Sequence, residues 1–238
     1  MYFPAKNSIK KIAAKVSFAR DFLDFKKMND GRFAVEWNQR FPCLNENTQN
    51  TSFDAHYIYH PAWAARILSQ TRPEFHVDIS STLTFCSIVS AFLPVKFYDF
   101  RPASINLKNL TCGQKDLTKL SFETGGVKSL SCMHTLEHIG LGRYGDPIDP
   151  AADVKAAKEL GRVLAVGGEF LFVVPVGKPK LMFNAHRIYS FEQAMGLFPG
   201  LKLKEFALVK DDMSFVENAT KEMTGAQNYG CGCFRFTK

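Results

Sequence analysis

The sequence predicts an α/β protein, doubly wound around a mostly parallel sheet of about seven strands. Three observations predict it. From Val127 to Pro175 the chain reads as a strand, a charged loop, a helix over 151–164, a Gly167-Gly168 turn and an apolar strand over 169–175. From Phe75 to Tyr98 it reads as strand, polar turn, helix, strand. Strand–helix–strand units give parallel pairing with a crossover helix. Finally, Lys202 to Leu208 and Cys231 to Phe236 carry apolar residues in alternation, as expected of a closing antiparallel hairpin.

The chain has 238 residues, 46% of them hydrophobic, which suits one large domain or one domain with an appendage. No apolar run reaches the roughly 18 to 20 residues that span a bilayer. The N-terminus lacks an apolar signal core, so a cytoplasmic, reducing location is expected. Six cysteines in a chain this long do not make a disulfide framework. Cys231 and Cys233 share one face of a strand and read as packed thiols, with a metal or redox pair as the alternative.

The net charge of +7 is unevenly placed. Residues 1–40 hold nine Lys/Arg against four Asp/Glu; the rest of the chain is nearly balanced. The basic character belongs to the N-terminal arm, which argues against a domain built for nucleic acid. Residues 5–28 read as an amphipathic helix, with Ile9, Ile12, Ala13, Val16, Ala19 and Leu23 at helical spacing and Lys10, Lys11, Lys15, Lys26 and Lys27 supplying charge. It packs on the domain or on a second subunit, with weak contact to an anionic membrane surface as the alternative. A polar, Asn-rich linker follows, dividing an extension over 1–51 from a domain over 52–238.

After the linker, His60-Pro61 leads into a short helix over 62–69. The first strand, 75–79, runs into Ser80, Ser81 and a helix over 82–93. The second, 95–98, ends at Asp99. Ligands of open parallel sheets bind beyond the carboxyl ends of strands, where helix N–H groups and an acidic side chain can take a ribose. Asp99, 21 residues after Asp78, suits that role. His134, Glu137 and His138 lie at the end of the strand over 127–133. A histidine beside a carboxylate can act as a general base. With Asp146 these groups match no metal-site spacing, so no metal is expected. Asp149-Pro150 reads as the start of the next helix, whose buried positions would be Val154, Ala157, Leu160 and Leu164, leaving Lys155, Lys158, Glu159 and Arg162 as a solvated face.

The motifs Leu136-Glu137-His138, Glu159-Leu160-Gly161-Arg162-Val163-Leu164, Gly167-Gly168 and Phe170 to Pro175 resemble the late half of a class I S-adenosylmethionine-dependent methyltransferase, a Rossmann-like fold. More narrowly, His138 to Pro147 and Phe183-Asn184-Ala185-His186-Arg187 resemble a bacterial methyltransferase-like family catalogued as a domain of unknown function. The resemblance covers roughly residues 52–210. It implies S-adenosylmethionine as cofactor, held by Asp78, Ser80, Ser81, Asp99, Asp116, Leu117 and His134, with Asp116 and the Leu117 N–H on the adenine. It implies His138, or Glu137 through water, as the base. Tyr57 and His60 would act as lid residues, or Tyr57 with Tyr59 would merely cover apolar surface. Together with Tyr144, Asp146, Asn184, His186 and Arg187 they would shape the pocket of a small polar acceptor such as a sugar or nucleotide-sugar. Arg187 would bind an anionic group or serve as a structural latch. The chain departs from that pattern after the first strand: Asp78-Ile79-Ser80-Ser81-Thr82 holds none of the glycines that let backbone pass close to the cofactor. A non-catalytic binding protein on the same scaffold is therefore the alternative reading.

Overall fold

The computed structural model describes residues 4–238, with side chains from residue 10 onward. The chain divides into two compact units, one ending at Phe53 and one spanning Asp54–Lys238. In the first, helix α1 runs Pro4–Met28, and a single 3-10 turn covers Trp37–Gln39. Ile12, Val16 and Leu23 of the expected apolar stripe are exposed, whereas Phe22 packs edge-on to Trp37 at 4.9 Å. The side chain of Ile9 lies outside the described residues. Among the described residues, no helix is long and apolar enough to cross a membrane.

The second unit begins with α2, Ala55–Thr71. This helix is longer than expected, because Asp54 caps it by accepting from the N–H groups of His56 and Tyr57, and Pro61 is carried inside it. Proline forfeits only the hydrogen bond to the carbonyl four residues back, on half-exposed Tyr57. Then follow β1 (His76–Ile79), α3 (Leu83–Val89), β2 (Val95–Asp99), β3 (Leu110–Gln114), β4 (Val127–Met133), α4 (Ala152–Val163) and β5 (Leu164–Val176). The chain continues through β6 (Lys180–Met182), β7 (His186–Ile188), α5 (Phe191–Gly196), β8 (Lys202–Val209), β9 (Phe215–Val216), α6 (Lys221–Gly225) and β10 (Gly230–Thr237).

One sheet runs β3-β2-β1-β4-β5-β10-β8-β9. The first five strands are parallel and the last three antiparallel. The fold is thus the expected doubly wound sheet, with eight strands in place of seven. The extra strand, β9, is two residues long inside a polar stretch, below the length at which alternation is readable. β6 and β7 form a separate hairpin. Gly167 and Gly168 do not end a turn. They form a bulge inside β5, where Val127 pairs with Leu164 but Ser129 pairs with Glu169.

Strand β5 shows how the sheet is held. Phe170, Phe172 and Val174 face one apolar layer with Leu160, Phe198 and Phe234; Leu171 and Val173 face the other with Trp63, Phe85 and Cys231. Successive side chains point to opposite faces, so a strand covered on both sides reads as a continuous apolar run. Helix α4 buries Ala156, Ala157, Leu160 and Val163, while Val154 is exposed. It starts at Ala152, and Asp149 bonds the Ala151 N–H one turn earlier. Glu159 and Arg162 are not a plain solvated face: Glu159 accepts from Leu120 N–H, and Arg162 donates to the carbonyls of Leu120 and Phe122.

Candidate active site

The sheet order reverses between β1 and β4, so the connections leaving these two strands part to opposite sides and open a crevice at their carboxyl ends. A cleft of about 340 Å³ lies there. Ser80, Asp99, Asp116, Leu117, His134, His138, Tyr144 and Asp146 all line it, with Arg101, Lys115 and Ile139. Arg101, from the loop after β2, stacks over the Tyr144 ring at 4.8 Å and so joins the two banks.

Ser80 leaves β1 with φ +57°, in the left-handed region that a glycine adopts without strain. Its hydroxyl turns back to Tyr98 O. Asp99 accepts from Arg101 N–H at 2.7 Å through Oδ1 alone. Asp116 similarly takes the N–H and hydroxyl of Thr118 on Oδ1. On each carboxylate Oδ2 has no hydrogen bond among the described residues. Helix α3 is two turns long, and its Phe85 N–H is capped by Thr82 Oγ1 at 3.2 Å.

Two residues expected on the cofactor lie beneath the cleft. Asp78 is fully buried, accepts the Ser81 N–H at 3.0 Å and takes the Ser131 hydroxyl. His76 bridges Ser129 and Ser131 at 2.7 and 2.8 Å. Burial pushes the Asp78 carboxyl up to about 6, against its hydrogen bonds to Ser131 and Ser81, and pushes the His76 imidazole down to about 3. Ser81 is buried too, its hydroxyl on Met133 N–H.

His134 directly follows β4, with φ +54°. Its Nδ1 meets Glu137 Oε1 at 2.8 Å. Glu137 is 1% exposed and does not reach the cleft, so the expectation of a base acting through water gives way to a carboxylate that positions two histidines. The second is His138, whose Nε2 lies 3.7 Å from the same oxygen and whose Nδ1 donates to Ala185 O at 2.6 Å.

The acceptor residues divide. Tyr144 and Asp146 line the cleft, but Asp146 receives the N–H groups of Gly140, Gly142 and Tyr144. Although burial alone would raise it, those donors hold its carboxyl below the ordinary range. Gly140, at φ +79°, is obligatory in this loop, since a Cβ there would stand 2.1 Å from Asp149 O. Arg187 pairs with Asp153 at 3.4 Å and donates to the carbonyl of Ile139 at 2.8 Å, the contacts of a latch. Asn184 lies exposed between β6 and β7. Tyr57 and His60 do not reach the cleft; their rings sit 5.3 and 5.1 Å from that of His134. His186 is 6.3 Å from His138 and 5.0 Å from Tyr229, ring to ring. The missed residues are His56 and Tyr229, stacked on each other at 5.0 Å and continuing the ring cluster around His134.

A family profile described as "Caenorhabditis protein of unknown function, DUF268" matches residues 114–224. This family of unknown function is described from Caenorhabditis, whereas the motifs resemble a bacterial family of unknown function. No curated protein matches the sequence. Among solved structures, a methyltransferase candidate from Bacillus halodurans C-125 is similar with a TM-score of 0.52 and 14% identity, over 74% of this chain and 97% of that one. The fold is that of a class I methyltransferase. A sarcosine dimethylglycine methyltransferase candidate from Galdieria sulphuraria is similar at 0.50 and 12% identity, over 74% and 84% of the two chains. The cyclase SpnF is similar at 0.50 and 12% identity, over 75% and 81%. At such identities the likeness establishes architecture, and activity is argued from the site.

Proposed function

We propose that this protein transfers a methyl group from S-adenosylmethionine to a small polar acceptor, a sugar or nucleotide-sugar being the class that suits its rim. The observation that carries the reading is Asp99, at the end of β2 in a cleft at the switch point, with one carboxylate oxygen uncommitted among the described residues. The residues fit the cofactor. Asp99 would hold the ribose hydroxyls, and Asp116 with the Leu117 N–H would hold the adenine. When bound, the cofactor supplies an electrophilic methyl on its sulfonium. The chain's own part is placement of the acceptor and removal of its proton. With Nδ1 held by Ala185 O, His138 presents Nε2 as the proton acceptor, and the charge gained there would sit 3.7 Å from Glu137. Tyr144 and Arg101 supply the contacts for the acceptor's polar groups at the rim.

Ser80 favours a second reading, a non-catalytic ligand-binding protein on the same scaffold, because its left-handed φ places a side chain where backbone approach is wanted. Calorimetric titration with S-adenosylmethionine and S-adenosylhomocysteine tests both. Micromolar binding that disappears in Asp99→Ala supports the cofactor assignment. Absence of heat at millimolar ligand sinks it. Tight binding without turnover across a panel of sugar and nucleotide-sugar acceptors leaves the second reading standing.

A further inference from the structure

His56, His134 and Cys231 come from three distant parts of the sequence: the first turn of α2, the end of β4 and the start of β10. All three are buried, and each offers one donor atom within 4.8 Å of the other two.

The His134 imidazole is oriented from behind, and that of His56 by stacking. His134 has its Nδ1 on Glu137 Oε1, and its Nε2 is buried without a hydrogen-bond partner among the described residues. His56 is stacked on the Tyr229 ring at 5.0 Å, and its ring lies 16° from parallel to that of His134. A carboxylate or carbonyl on one ring nitrogen fixes the tautomer and leaves the lone pair of the other for a metal. A buried imidazole nitrogen with nothing to bond is otherwise unfavourable, since its solvation is lost without replacement. The third donor, the Cys231 thiol, is soft and lies 4.0 Å from the Cys233 sulfur.

We propose that His56, Nε2 of His134 and Sγ of Cys231 bind a zinc ion that pins the start of α2 to the ends of β4 and β10. Two imidazoles and one thiolate are a tetrahedral zinc donor set with a fourth position left for water. Zinc–nitrogen bonds of about 2.0 Å and zinc–sulfur bonds of about 2.3 Å put the donors roughly 3.5 Å apart, so closure asks for about 1 Å of movement shared between side chains. Binding converts the thiol to a thiolate and releases one proton to solvent. Neither the site nor its test depends on methyl transfer.

The full chain, stripped with a chelator, is titrated with Co²⁺ and then Zn²⁺. The expected result is one equivalent of Co²⁺ giving a thiolate-to-cobalt charge-transfer band and tetrahedral visible bands, both removed by one equivalent of Zn²⁺. Competition with a chromophoric chelator should give a submicromolar Kd. Cys231→Ser should abolish the charge-transfer band and weaken Zn²⁺ at least ~100-fold, and Glu137→Gln should weaken it about tenfold while keeping the band. Cys233→Ser should change neither. If Cys231→Ser fails to fold, His56→Gln, which keeps the thiol, should weaken Zn²⁺ as strongly. A parent chain with no thiolate band, or a folded Cys231→Ser or His56→Gln that binds Zn²⁺ as tightly as the parent, overturns the proposal.

Discussion

Nδ1 of His134 and Oε1 of Glu137 stand 2.8 Å apart, both side chains sealed from solvent. Leaving a buried imidazole without this partner costs about 1–3 kcal/mol. Glu137→Ala should therefore lower the unfolding free energy read from urea denaturation by that amount, whereas Glu137→Gln, whose amide oxygen can still accept, should lose less. Equal loss in both variants would show that charge, and not the acceptor oxygen, holds the pair.

Arg187 spans two carbonyls of the loop after β4 and the carboxylate of Asp153. Lysine cannot reproduce that planar set of donors. Arg187→Lys should cost about 2 kcal/mol of stability and speed hydrogen exchange across residues 136–150. Unchanged exchange there would refute the latch.

Asp78 and His76 oppose each other in their response to pH. Between about 3.8 and 6 the native Asp78 keeps a proton that the unfolded chain has released, so its contribution to stability falls as pH rises. Native His76 stays neutral while the unfolded histidine is protonated up to about 6.5, so its contribution rises over the range that begins near 3. The other titratable groups facing Asp78 are Cys86 and Cys132, both held as neutral thiols by burial. Asp78→Asn mimics the protonated acid and removes only the first dependence. Relative to the parent it should gain on the order of 2–3 kcal/mol between pH 4 and pH 7, read from denaturation midpoints at each pH. A flat difference would mean that Asp78 is ionised throughout.

Ser80→Gly should relieve the left-handed strain and clear the edge of the cleft. The relief, of order 1 kcal/mol, is partly cancelled by the freedom glycine gains in the unfolded chain, so stability should move little. The readout is affinity: S-adenosylhomocysteine should bind several-fold tighter by calorimetry. Weaker binding would assign the serine hydroxyl itself to the ligand.

The parallel half of the sheet was legible because its strands carry their own signature. Phe170 to Pro175 is an unbroken apolar run, and Asp99 ends β2, 21 residues after Asp78, where a switch-point ligand needs it. Ser80 was legible as a departure, since the first turn lacks the glycines of the pattern; that it takes a left-handed φ was not. The division among the polar loop residues was not. Whether Arg187 reaches a ligand or a carbonyl depends on the path of the loop over Ile139 and Pro150, and spacing does not encode that path. The neighbours His56, Tyr229 and Cys231 of His134 were hidden for a related reason: they meet only when α2 and β10 are placed on the sheet. Asp78 was assigned by position at a strand end, but the side chain's face is set by Ser81 and Ser131 closing over it.

Strand β10 pairs with β5 on one side and β8 on the other. It is made after both, so until residues 230–237 leave the ribosome those two strands have open edges with Phe170, Phe172 and Phe206 uncovered. The nascent protein passes through a stage in which its most apolar layer lacks its middle, and shielding by a chaperone would matter most then.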